Sequence, residues 1–66
     1  MRERLTEFFE VYEFYLKTGI WSTTSVYGIM NEAYQELQET PKKKRLNTGC
    51  SGCITSVAKQ IYEKWH

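Results

Sequence analysis

The sequence predicts an all-α protein, a small three-helix bundle with helices over residues 2–17, 23–39 and 50–65. Three observations carry this reading. Apolar residues recur at helical spacing in three separate stretches. Glycine, proline or a run of hydroxyl residues separates one stretch from the next. No segment alternates apolar and polar residues with the period of two that a half-buried strand needs.

In the first stretch, Leu5, Phe8, Phe9, Tyr12, Tyr15 and Leu16 line up as one helical stripe, with Glu3, Glu7 and Glu10 opposite. Glu13 and Lys17 are spaced as an i,i+4 ion pair. Gly19 suits the left-handed residue that ends a helix, and Ile20 is then expected to fold back on Tyr15. Val11 falls on the flank of the stripe and Phe14 on its far side. Either the first helix is the central, most buried one, or these residues seed a contact with another molecule.

Residues 20–25 form a turn rich in hydroxyl groups. Ser22 is the favoured N-cap, since Trp21 and Val26 then stand at the two positions of a hydrophobic staple; a start two residues later is equally allowed. Val26, Ile29, Met30, Ala33, Tyr34 and Leu37 make the second stripe, and Glu32, Glu36 and Glu39 a solvated acidic ridge. Pro41 stops this helix, because the residue before a proline is pushed out of the helical region. The connection 40–49 is basic, with Leu46 as its one apolar anchor. The third stripe is Ile54, Val57, Ala58, Ile61 and Trp65, with Tyr62 on its flank.

The chain has 66 residues and is one domain at most. A chain of this length buries only about 60% of its unfolded surface. Its ten aromatic residues therefore matter, since each buries roughly 150–250 Å². Surplus apolar surface at Val11, Phe14 and Tyr27, in a domain so small, points to a protein partner or a homo-oligomer.

Charge is split along the chain. Residues 1–40 hold three basic and seven acidic side chains, a balance of −4, whereas residues 41–66 hold six basic and one acidic, a balance of +5. Lys42, Lys43, Lys44 and Arg45 are consecutive, and Lys59 lies on the polar side of the third helix. These five residues are the candidates for a nucleic-acid contact, which is the alternative to protein binding. A ten-residue connection is longer than the roughly 3–4 residues that join the helices of a helix-turn-helix unit.

Both cysteines, Cys50 and Cys53, sit in Thr48-Gly49-Cys50-Ser51-Gly52-Cys53-Ile54 at the start of the third helix. Their spacing leaves three possibilities open. As zinc ligands they supply half of a structural site. His66 lies about 20 Å further along a continuous helix, so zinc requires a site shared between chains. As a redox pair they are placed as in thioredoxin-type active sites, but no βαβ pattern is present; a disulfide, structural or reversible, would close a loop too small to stabilise much. As plain reduced thiols they are small apolar residues turned toward the core. Enzyme chemistry is poorly supplied: there is no aspartate, and the single histidine is His66. No apolar run approaches the ~20 residues that cross a bilayer, and no leader pattern is seen, so a cytoplasmic setting without membrane contact is expected.

From Tyr34 onward, a helix bearing Tyr34 and Leu37, a basic loop, the segment Thr48–Ile54 and a helix ending Ile61-Tyr62 follow one another. This order resembles the small helical open reading frames of tailed bacteriophages that infect Bacteroidetes-type hosts. The resemblance implies a phage accessory or virion-associated protein. It implies no catalytic residue.

Overall fold

The computed structural model describes all residues, Met1–His66. It is a three-helix bundle without strands: a 3-10 turn over Arg2–Leu5, then α1 (Thr6–Thr18), α2 (Tyr27–Leu37) and α3 (Ser51–Trp65). The buried core takes Leu5, Phe8, Val11 and Tyr12 from the first segment. Val26, Met30 and Ala33 come from the second, Leu46 from the connection, and Ile54, Val57, Ala58 and Ile61 from α3.

The face that α1 buries differs from the sequence expectation. Leu5, in the 3-10 turn, is fully buried on the same side as Phe8 and Tyr12. Counting from Thr6 alone, the buried arc centres between Phe8, Val11 and Tyr12. Val11 is therefore core, only 6% exposed, and Leu16, expected in the core, is 59% exposed.

α1 ends as expected at Gly19, whose φ of 77° is left-handed and whose N–H donates to the Tyr15 carbonyl. The expected return of Ile20 onto Tyr15 does not occur. The Ile20 N–H donates to Thr18 Oγ1, and the Ile20 side chain is 60% exposed. Trp21 takes its place, stacking on Tyr15 with ring centroids 4.8 Å apart. The flat indole covers more of the phenol ring than a branched aliphatic chain does.

α2 starts at Tyr27, later than the hydroxyl run suggests. The hydroxyls serve other partners. Thr23 Oγ1 accepts the Ser25 N–H, and Ser25 Oγ donates to Glu7 Oε1 on α1 at 2.9 Å. Such side-chain bonds compete with helix initiation. Val26 is the N-cap residue and gives no side-chain cap, so neither Ser22 nor its neighbours cap this helix. α2 stops at Leu37 rather than Glu39, because Gln38 adopts an extended backbone. An exposed two-point ion pair from Arg4 to both oxygens of Glu32, at 3.0 and 3.1 Å, ties the 3-10 turn to α2.

Candidate functional site

Two parts of the surface stand out, one apolar and one basic. The apolar part is the C-terminal end of α1. Phe14 is 44% exposed, Leu16 59% and Ile20 60%, and no other large hydrophobic residue is exposed to this degree. At 100° per residue, Phe14 and Leu16 stand about 160° apart on the helix. Tyr15 lies between them and faces Trp21. Phe14, Tyr15 and Leu16 thus make about 200° of this helix end apolar, with Glu13 and Lys17 on the remaining side.

Phe14 alone of the three predicted partner residues belongs to this end. Val11 is buried and is corrected from contact residue to core residue. Tyr27 is half-buried and meets Trp21 edge-on, with centroids 6.3 Å apart. It lines an open cleft of about 390 Å³ together with Gly28, Asn31, Arg45, Leu46 and Thr48, so it sits with the basic residues. Leu16 and Ile20 escaped the sequence reading because helical periodicity had placed Leu16 in the stripe and the helix-end motif had assigned Ile20 a local partner.

The basic part is the connection between α2 and α3, which is held to the body at several points. The Leu46 side chain is 8% exposed, and its N–H donates to Asn31 Oδ1 at 2.8 Å. Gln38 reads the Lys44 backbone in both directions: its Oε1 accepts the Lys44 N–H at 2.8 Å and its Nε2 donates to the Lys44 carbonyl at 2.9 Å. Asn47 Oδ1 accepts the Gly49 N–H, and the Asn47 carbonyl accepts the Cys50 N–H. Lys42, Lys43, Lys44, Arg45 and Lys59 are all exposed, and none forms an ion pair. The run is a set of free cations on a fixed frame. The amides of Asn31 and Gln38 that build this frame carry no periodic signal, so periodicity could not find them.

Cys50 and Cys53 are joined by a disulfide, which corrects the expectation of two reduced, core-facing thiols. Both residues are half-buried at the rim, and neither belongs to the buried core. Cys50 is the N-cap of α3, with Sγ accepting the Cys53 N–H at 3.2 Å. Helix phase had placed both sulfurs inward, but Cys50 has extended backbone angles and lies outside the helix. A shared zinc site would need this disulfide opened, because zinc takes thiolates. No group of three or more His, Cys, Asp or Glu side chains is arranged to hold a metal ion.

A polar clasp joins α1 to the end of α3. Tyr62 donates its hydroxyl to Glu13 Oε2 at 2.8 Å, and His66 Nε2 lies 3.4 Å from the same oxygen. Glu13 therefore serves α3, and the predicted Glu13–Lys17 pair does not form. The hydrogen bond to the Glu13 carboxylate, and then burial, raise the Tyr62 pKa above its ordinary value. Tyr62 stacks on His66, with centroids 4.2 Å apart, and meets Phe9 edge-on. The i,i+4 spacing of Tyr62 and His66 was the available sequence signal for this cluster.

Comparison with known proteins gives no counterpart: no protein-family model, no curated protein sequence and no solved structure matches this chain. No helix is long and apolar enough to cross a membrane.

Proposed function

We propose that this protein is a binding module that associates with a second copy of itself through the C-terminal end of α1. The observation that carries this reading is the exposure of Phe14, Leu16 and Ile20 around one helix end. The resemblance to small tailed-phage proteins supplies the setting, a virion component or accessory factor working in the host cytoplasm. The test is molecular mass by sedimentation equilibrium, beside circular dichroism. The wild type is expected to exceed the monomer mass, and Phe14→Glu with Leu16→Glu to return it to the monomer with helicity unchanged. A wild type that stays monomeric at millimolar concentration overturns self-association.

A second reading is favoured by one specific observation, the unpaired cations held on a fixed backbone at 42–45. In this reading the connection and Lys59 on α3 contact nucleic-acid phosphates, with Arg45 lining the cleft. Fluorescence anisotropy with a labelled oligonucleotide tests it. Binding should weaken steeply between about 50 and 200 mM salt and disappear when Lys42, Lys43, Lys44 and Arg45 are changed to glutamine. No affinity at low salt overturns it.

A further inference from the structure

We infer that Cys50 and Cys53 form a thiol–disulfide exchange site, with Cys50 as the nucleophile of the reduced form and a protein or small-molecule disulfide as its substrate. The inference stands apart from the binding readings above and starts from a covalent bond the fold does not need. The disulfide spans a sequence separation of three, within one turn. Disulfides stabilise mainly by closing long loops in the unfolded chain, so a loop this small gains least. Neither cysteine is part of the buried core. The backbone of the turn is held independently, since the Ile54 N–H donates to the Cys50 carbonyl at 3.0 Å. Opening the bond therefore leaves the helix start intact.

The surroundings suit a thiolate at Cys50. It caps the 15-residue α3, so its sulfur stands at the positive end of the helix dipole. The Cys53 N–H already points at Cys50 Sγ, and a thiolate accepts that bond better than a disulfide sulfur does. The first turn of α3 contains no acidic residue to oppose a negative charge. These features lower a thiol pKa. Access is open as well: Ser51 and Gly52 are exposed, and beyond its chain neighbours and the helix backbone nothing lies within 4 Å of where a side chain on Gly52 would begin.

The reaction is balanced as follows. The Cys50 thiolate attacks one sulfur of the substrate disulfide, and the other substrate sulfur leaves as a thiolate and takes a proton from solvent. The Cys53 sulfur then attacks Cys50 Sγ and breaks the mixed disulfide, and the Cys53 proton passes to the departing second substrate sulfur. The Cys50–Cys53 bond reforms, and the substrate leaves as two thiols. The cysteine pair is oxidised by two electrons and the substrate is reduced by two.

Three measurements on the full chain test this. Dithiothreitol without denaturant should reduce the pair while the far-ultraviolet helix signal persists. The reduced protein, mixed with glutathione disulfide, should release two glutathione molecules per chain and regain its internal bond. Alkylation by iodoacetamide should follow pH with a midpoint for Cys53→Ser, which leaves Cys50 alone, clearly below the ordinary thiol value of about 8.5. Cys50→Ser keeps a capping side chain and leaves Cys53 alone as the comparison. At neutral pH it should react more slowly, by about tenfold for each unit that separates the two midpoints. A bond that yields only to unfolding, loss of helix on reduction, failure to turn over glutathione disulfide, or equal reactivity of the two single-cysteine variants would each overturn the inference.

Discussion

Leu46→Ala tests whether the basic run is a docked part of the fold or a solvated tail. Leu46 is 8% exposed and packs into the single core. Truncating a buried leucine costs about 2–5 kcal/mol, depending on how far the site collapses. Leu46 lies in a connection that can close over the gap, so the lower end applies, about 2–3 kcal/mol. A domain of 66 residues is stable by roughly 3–10 kcal/mol, so this is a large share. It corresponds to a melting temperature lower by roughly 8–24 °C, at about 4–8 °C per kcal/mol. Two companion variants rank the supports. Asn31→Ala leaves the part-buried Leu46 N–H without its acceptor, costing about 1–3 kcal/mol. Gln38→Ala removes bonds to the exposed Lys44 backbone that water can replace, costing less than about 1 kcal/mol. Thermal and urea unfolding followed by circular dichroism give all three values. A Leu46→Ala protein within about 0.5 kcal/mol of wild type, the range of an ordinary surface change, would show that residues 40–49 are not docked. The fixed frame under Lys42–Arg45 would then be gone.

Other predictions follow from single contacts. Gly19→Ala, which forces a side chain into a left-handed residue, should lower stability by about 1–2 kcal/mol in the same unfolding assay. Arg4→Ala should cost only about 0.2–1 kcal/mol, because its pair with Glu32 is exposed, and the loss should shrink in high salt. The raised pKa of Tyr62 means its neutral form is favoured in the folded state. Its contribution is fully present below the unfolded tyrosine value of about 10 and is lost as pH rises through the higher folded value. Melts in that alkaline range should therefore fall less steeply for Tyr62→Phe than for wild type, and equal slopes would refute the assignment.

The three apolar stripes made the bundle legible in sequence, because each needs a face to bury and no other architecture fits so short a chain. Gly19 and Leu46 were legible for the same reason, each being the one residue of its kind where a turn or an anchor was needed. The exposure of Leu16 was not legible. It shares the phase of the stripe but lies in the last turn of α1, and periodicity tells which side of a helix a residue faces, not whether another element reaches that far along it. The late start of α2 was hidden too, since Ser25 gives its hydroxyl to Glu7, eighteen residues away. The cysteine spacing marked the helix start correctly but could not decide between thiols and a bond, because either state leaves the same residues in the same turn.

The fold also leaves its charge asymmetry unspent. Seven glutamates lie before residue 41, and four consecutive cations follow it. The ion pairs that form are Arg4 with Glu32 and the amino terminus with Glu3, and His66 Nε2 lies 3.4 Å from Glu13. No lysine takes part, nor does Arg45. Exposed pairs are worth little in stability, so leaving these cations free costs the fold almost nothing. What it preserves is a strong local field, which acts on association with another molecule rather than on folding. The apolar end of α1 and the basic connection therefore separate by salt. Contact through Phe14, Leu16 and Ile20 rests on apolar area and should hold or strengthen as salt rises. Contact through Lys42–Arg45 should weaken as counterions compete. One titration of an observed complex against salt assigns it to one surface, before any partner has been identified.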